Sequence, residues 1–231
     1  MKEEHTIRDF LIPGLKKLVI FITWVIFLYL YFLFSYMITN RINMIRPEQV
    51  HLYFDWETRI PLIPEFMIIY ASLPIVFLTP LFLLKTSCLH LLGFRFILIM
   101  TISTVIFIVI PTTIGWERQV PNGFFDNGFH FLHYIDKPHN LFPSLHISLS
   151  ATLVIMVSNN HSSRLLKAAL WLWMFLICIS VLVVHQHHLA DIAGGFLLTY
   201  YAIYRVKESP KMIRKLGNKI YHRIRKLLRR E

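Results

Sequence analysis

The sequence predicts an all-α integral membrane protein, with six transmembrane helices in one bundle followed by a basic amphipathic C-terminal helix. Three observations carry that expectation. The 231-residue chain is 55% hydrophobic and only 16% charged. Its apolar residues gather into long runs almost free of charge rather than scattering along helix faces as in a soluble helical domain. Its basic residues then fall unevenly between those runs.

The first run, 18–38, reads LVIFITWVIFLYLYFLFSYMI and contains no charge. It is long enough to cross a hydrocarbon core of roughly 30 Å. It is also too long for the apolar part of a signal peptide, and no small-residue cleavage site follows it. Comparable runs occupy about 66–84, 94–111, 145–158, 165–184 and 189–204. The fourth is short and carries Ser148, Ser150 and Thr152, so its helix is expected to begin near Pro143.

Lys2, Arg8, Lys16 and Lys17 precede the first span. Lys85 and Arg95 fall between spans two and three, and Arg164 and Lys167 between four and five. Eleven more basic residues follow the last span, so nineteen stand on this side and five on the other. The excess predicts cytoplasmic termini, and the tail supplies most of it. Residues 1–206 are therefore read as the membrane domain and 207–231 as a cytoplasmic tail, in a multi-pass protein of a bacterial inner (plasma) membrane. In 211–230, KMIRKLGNKIYHRIRKLLRR, the apolar residues Met212, Ile213, Leu216, Ile220, Ile224 and Leu227 recur every three or four positions. That pattern suits the anionic lipids of the cytoplasmic leaflet. No nucleic-acid-binding module accompanies the charge, so membrane lipid is the expected partner and nucleic acid is not. Cys88 and Cys178 lie too far apart along the spans to pair, and no thiolate-rich metal site is expected.

Two outer loops remain. In YFDWETRIPLIPEF, 53–66, Pro61 and Pro64 break any helix, while Tyr53 and Trp56 fit an interfacial aromatic belt. The second loop, about 112–142, is the longest connection and the most polar. Connections of that length usually serve a function. Beyond it come NLFPSLH, 140–146, and HQHHLAD, 185–191. The 41 residues from His146 to His187 equal two crossings, which returns both histidines to one membrane face. With cytoplasmic termini that face is extracytoplasmic.

The residue types at these positions suit phosphoryl transfer. His187 and Asp191 are four apart and share a helical face. A neutral His187, its other nitrogen held by Asp191, could attack phosphorus. His146 could protonate the leaving oxygen. Pro143 suits a first helical turn, Asn140 could cap it from outside, and Ser144 adds a hydroxyl at a helix N-terminus that attracts phosphate. Arg118 and Lys137 could neutralise phosphoryl oxygens, with arginine the better fork. Gly194 and Gly195 would let a neighbouring helix approach closely. Such a scheme needs no metal and no cofactor.

PSLH at 143–146, with His187-x-x-x-Asp191 some forty residues on, resembles the type 2 phosphatidic acid phosphatase superfamily. Its members are six-helix membrane lipid phosphatases and phosphotransferases that work without metal. The leucine in PSLH, together with DWETRIPLIPEF and PTTIGWER, resembles the branch that includes inositol phosphorylceramide synthases. The resemblance implies His187 as nucleophile, Asp191 as its partner, His146 as acid, and Ser144 as a phosphate contact. Two departures stand out. The third motif usually begins Ser-Arg, and here Ser180 is followed by Val181. The first motif, a lysine and then Arg-Pro, is absent as such; Arg118 is its nearest arginine, with Gln119 where proline would stand. Two cations must then come from elsewhere, hence the expectation for Lys137.

Elsewhere the plainer reading stands. His90, His130, His133, His139, His161 and His222 read as interfacial polar residues, and His185 and His188 as turn residues beside the key position. Glu117 and Asp126 have no assigned role. Two other classes compete with an enzyme. Haem or metal ligation by imidazoles on neighbouring helices would leave Pro143, Ser144 and Asp191 unexplained. A transporter of anionic lipid would show inverted repeats and broken helices, which the sequence does not. Within the enzyme class, water or an alcohol could accept the phosphoryl unit. The two expected activities are thus a lipid-phosphate phosphatase and a lipid phosphotransferase.

Overall fold

A computed structural model describes residues 13–207 and 211–228. Helix α1 (Leu15–Met44) is followed by a 3-10 turn at Glu57–Arg59 and another at Pro64–Phe66. Three short helices come next: α2 (Met67–Ala71), α3 (Leu73–Val76) and α4 (Thr79–Leu83). The rest are α5 (Thr86–Val109), α6 (Asp126–Ile135), α7 (Leu145–Asn160), α8 (Arg164–Val183), α9 (Leu189–Arg205) and α10 (Lys211–Leu228). No strand forms among the described residues; the two outer loops meet in one isolated bridge, Val50 to Thr112.

Helices α1, α5 and α8 are long and apolar enough to cross a membrane. The apolar stretches 64–76 and 145–160 are shorter. The expected second span, 66–84, is broken rather than continuous. Pro74 and Pro80 lack the N–H a continuous helix needs, and each sits in the first turn of a new short helix. Ser72 marks the first break, where its hydroxyl donates to Ile69 O at 2.6 Å and accepts from Trp173 Nε1 at 2.9 Å. The broken segment is thereby tied to α8. The helical, apolar character expected of the chain is present, with three helices of full spanning length among the described residues.

The core forms where α7 packs between α5, α8 and α9. Ala151, Leu153, Val154 and Val157 of α7 are fully buried. The close approach expected at the glycine pair is found. A Cβ on Gly195 would lie 2.8 Å from Ile147 Cβ and 2.9 Å from Ser144 O. Thr199 Oγ1, one turn on, donates to Ser148 O at 2.9 Å.

Arg95 corrects an expectation. Instead of lying in a loop it is buried inside α5, because the helix already begins at Thr86. Its guanidinium donates to Val206 O at 3.0 and 2.8 Å, and so neutralises the C-terminal end of α9. The tail helix α10 packs against α1 and α5, with Gly217 against the His90 ring and Lys16 Nζ 5.9 Å from the Tyr221 ring centroid. Ile220 and Ile224 are half-buried, as the amphipathic pattern requires. Lys2, Arg8, Arg229 and Arg230, used in the orientation count, lie outside the described residues, as do the side chains of Met212, Ile213, Leu216 and Leu227.

Candidate active site

Ser144 is the N-cap of α7, its Oγ accepting from Ile147 N at 3.4 Å. Pro143 therefore lies outside the helix, joined to Phe142 by a cis peptide, and not in its first turn. The Ser144 N–H donates to Asp191 O at 3.1 Å, a backbone link between the two motifs. His146 follows on the first turn of α7.

The second motif is shaped by the turn between α8 and α9. The N–H groups of Gln186 and His187 both donate to Val181 O at 2.9 Å, while the Val181 side chain is fully buried in the core. The residue at the expected arginine position thus supplies a carbonyl to the turn and an apolar side chain to the interior. His185 takes a left-handed φ of 57°, which turns the chain into α9. Asp191 sits at the third position of α9, and its Oδ2 accepts from the His188 N–H at 2.8 Å.

These two starts bring three side chains together. His146 Nδ1 lies 3.1 Å from His187 Nε2, and His187 Nδ1 lies 3.4 Å from Asp191 Oδ2. Behind His146, the Tyr70 hydroxyl lies 2.8 Å from His146 Nε2. With both rings neutral, the protons are fixed from the carboxylate outward. Asp191 accepts the His187 Nδ1–H, so His187 Nε2 carries a lone pair. His146 must then donate from Nδ1, and Tyr70 must donate to His146 Nε2. His187 and Asp191 are almost wholly buried.

A second buried network braces the first. Glu57 is fully buried, and its Oε2 accepts from Leu189 N at 2.9 Å and pairs with His188 Nδ1 at 3.2 Å. The Glu57 Oε1 accepts from Phe54 N at 2.9 Å. The Gly115 N–H donates to His188 Nε2 at 3.0 Å. Trp116 stacks on His188 and on His185 at centroid distances of 4.0 and 4.4 Å, while Tyr53 stacks on His188 at 4.5 Å. His188 is thus a hub joining both outer loops to the start of α9, not a plain turn residue. Its neighbour His185 also reaches Ile60 O at 2.9 Å.

The expected phosphate contacts are distributed unevenly. Arg118 donates to His133 O at 3.1 Å and to Asp136 O at 2.6 Å, and its Nε is buried with no partner among the described residues. It lies within electrostatic range of Asp136, Tyr36 and Tyr70, and burial pulls its pKa below the usual value while Asp136 opposes that shift. Lys137 donates to His133 O at 3.2 Å and stands over the Tyr134 ring, which engages its ammonium within the loop. Asn140 does not cap α7. Its amide donates to Thr39 Oγ1 at 2.8 Å and accepts from Asn43 Nδ2 at 3.1 Å, so it clasps the loop to α1, and Ser144 takes the cap.

Sequence reasoning missed Tyr70, Glu57, His188 and Asp136. Tyr70 was hidden in an apolar run as one aromatic among many. Glu57 had no signal of its own, since Asp55 and Glu65 are carboxylates in the same proline-rich segment. Asp136 accepts a hydrogen bond from the Tyr36 hydroxyl. Burial raises its carboxyl above the ordinary value, against the opposing pull of Tyr36, His187 and Arg118.

A search of curated proteins and one of solved structures returned no match. The family model described as the PAP2 superfamily matches residues 18–215, a span that holds every residue of the site just described. Membership supports a phosphatase- or phosphotransferase-type function. On that match, over most of its length, the chain belongs to the PAP2 superfamily.

Proposed function

We propose that this chain is a six-span membrane enzyme that cleaves a phosphate ester of a lipid at the extracytoplasmic face, with both termini cytoplasmic. His187 Nε2 attacks phosphorus, Asp191 holds the opposite nitrogen, and His146 serves the leaving oxygen as acid. The observation that carries the reading is the line of Asp191, His187 and His146, joined at 3.4 and 3.1 Å in a buried setting. Substrate enters by parting the two imidazoles, since reacting atoms need about 3–3.5 Å of their own. Arg118, whose buried Nε has no partner among the described residues, would meet the phosphoryl oxygens, and Lys137 is the second candidate. Ser144 contributes through the N-terminus of α7.

The lipid character of the substrate is supported by an apolar cavity of about 260 Å³. Phe21, Trp24, Phe32, Phe77, Phe96 and Leu149 are among its lining residues, and a hydrocarbon chain is the chemistry that suits them. Leu149 lies one turn along α7 from His146. Water as acceptor makes the enzyme a phosphatase; an alcohol makes it a phosphotransferase, as in the branch of inositol phosphorylceramide synthases.

The test is purified protein offered a panel of lipid phosphates, with released phosphate and transfer products both measured. His187→Ala and His146→Ala are expected to lose turnover by at least the 10²–10⁴-fold typical of acid–base residues. Equal turnover in the variants would sink the mechanism. Transfer product without free phosphate would assign the phosphotransferase.

A further inference from the structure

Tyr70 is a buried group that the mechanism above leaves unused. It belongs to the short helix α2, and its hydroxyl lies 2.8 Å from His146 Nε2 with the rings tilted at a centroid distance of 4.9 Å. That helix is fastened to α8, the element that leads into the turn carrying His187. Trp173 of α8 donates to Ser72, and Ile63 N donates to Val183 O at 2.9 Å. The two rings are therefore held from opposite sides: Tyr70, braced on α8, behind His146, and Asp191 of α9 behind His187.

We propose that Tyr70 is the positioning residue that keeps His146 Nδ1, rather than Nε2, as the atom exchanging protons with substrate. It does so because a phenol both donates and accepts. This deepens the proposed function and rests on it. In the resting pair of neutral rings, Tyr70 O–H donates to Nε2. When His146 gains a proton, the hydrogen bond reverses and Nε2–H donates to the Tyr70 oxygen, a charge-assisted bond.

The proton count then closes over both half-reactions. In the first, the His187 Nε2 lone pair forms the N–P bond as the bond from phosphorus to the lipid oxygen breaks. That oxygen takes the proton from His146 Nδ1, which leaves His146 neutral with Nε2–H still bound to Tyr70. In the second, water attacks phosphorus and gives a proton to His146 Nδ1. The N–P electron pair returns to His187. The sum is ester plus water giving alcohol plus phosphate, and Nε2 stays committed to Tyr70 throughout.

The titratable groups facing this pair are few. His187 faces His146 from the α8–α9 turn, with Asp191 of α9 behind it. From the 112–142 loop Asp136 and Arg118, and from α1 Tyr36, lie within electrostatic range of Tyr70. None lies between the phenol and the imidazole, whose 2.8 Å separation leaves no room.

The experiment is the pH profile of kcat/KM for Tyr70→Phe against the parent protein, with phosphatidic acid in mixed micelles. Loss of the acceptor removes support for the protonated His146. The alkaline limb is expected to move about one unit toward lower pH, costing about tenfold in rate on that side with the acidic side little changed. A profile parallel to the parent's, whatever its height, would overturn the inference and reduce Tyr70 to packing. A second arm needs no substrate. In detergent-solubilised protein labelled with ¹⁵N-histidine, His146 (identified by its loss in His146→Ala) should show a protonated Nδ1 and an unprotonated Nε2 at high pH. Tyr70→Phe should move the Nε2 resonance, which loses its hydrogen-bond donor, while His187 keeps the His146 proton on Nδ1; an unchanged Nε2 shift in a protein with the parent's melting temperature would overturn the proposal. If His187→Ala and His146→Ala retain full turnover, the proposed function itself falls, and that result is distinct from both arms.

Discussion

Asp191 Oδ2 accepts the His188 backbone N–H at 2.8 Å and lies 3.4 Å from His187 Nδ1, so one carboxylate oxygen starts helix α9 and orients the histidine one turn away. Structure and chemistry are therefore coupled at this residue. Asp191→Asn keeps an oxygen for the helix start but can present an amide to His187. We expect turnover to fall by about 10²–10⁴-fold, the range for a lost acid–base partner. The melting temperature should drop only slightly; a large drop with proportionate loss of activity would instead assign Asp191 to folding.

The Glu57 network makes the opposite prediction. Glu57 forms no hydrogen bond with His146 or His187, yet it accepts from Leu189 N and His188 Nδ1 where it is fully buried. Glu57→Gln replaces one acceptor with a donor, and each of the two carboxylate oxygens accepts from a backbone N–H in the parent. An unsatisfied buried group costs about 1–3 kcal/mol. Thermal unfolding in detergent should report a clear loss of stability, and activity should fall with it as α9 loses its anchor. A variant as stable as the parent would show that the network is idle.

Gly195 tests how tightly the two motifs must approach. A Cβ there would meet Ser144 O, a backbone atom of the His146 helix start, at 2.9 Å. Gly195→Val should cost about 1–3 kcal/mol through overpacking and reduce turnover by moving His146 away from His187. Ala at 195 should fall between parent and valine in both melting temperature and rate.

Arg118 and Lys137 separate by their engagement. Arg118 bridges two loop carbonyls and keeps a buried Nε without a partner among the described residues, whereas the Lys137 ammonium is occupied within the loop. Arg118→Lys is expected to raise KM for a lipid phosphate by about tenfold, since lysine cannot reproduce the guanidinium fork. Lys137→Ala should change KM much less. The reverse order would move the phosphate site toward Lys137.

Much of the site was legible because its motifs are local. His187 and Asp191 are four positions apart, and PSLH places a cap and a histidine on one helical turn, so composition and spacing already imply their geometry. The hairpin of α7 and α8 then returns the chain to the start of α7, where the second motif meets the first. Tyr70, Glu57 and His188 carry no such local signature. Tyr70 reaches His146 across 76 positions and Glu57 reaches His188 across 131, pairings that only packing can make.

The sequence by itself determined the apolar helical class, the basic amphipathic tail and the trio of His146, His187 and Asp191, because hydropathy and helical periodicity are properties of neighbouring residues. Tertiary structure decided which polar groups stand behind that trio. It also decided that Asn140 clasps α1 while Ser144 caps α7, that Arg95 closes the end of α9, and that Pro74 and Pro80 fragment the stretch expected to be the second span. The physical reason is the same in each case. A buried hydrogen-bonding group must find a partner, and the partner it finds depends on which helix faces the chain brings together.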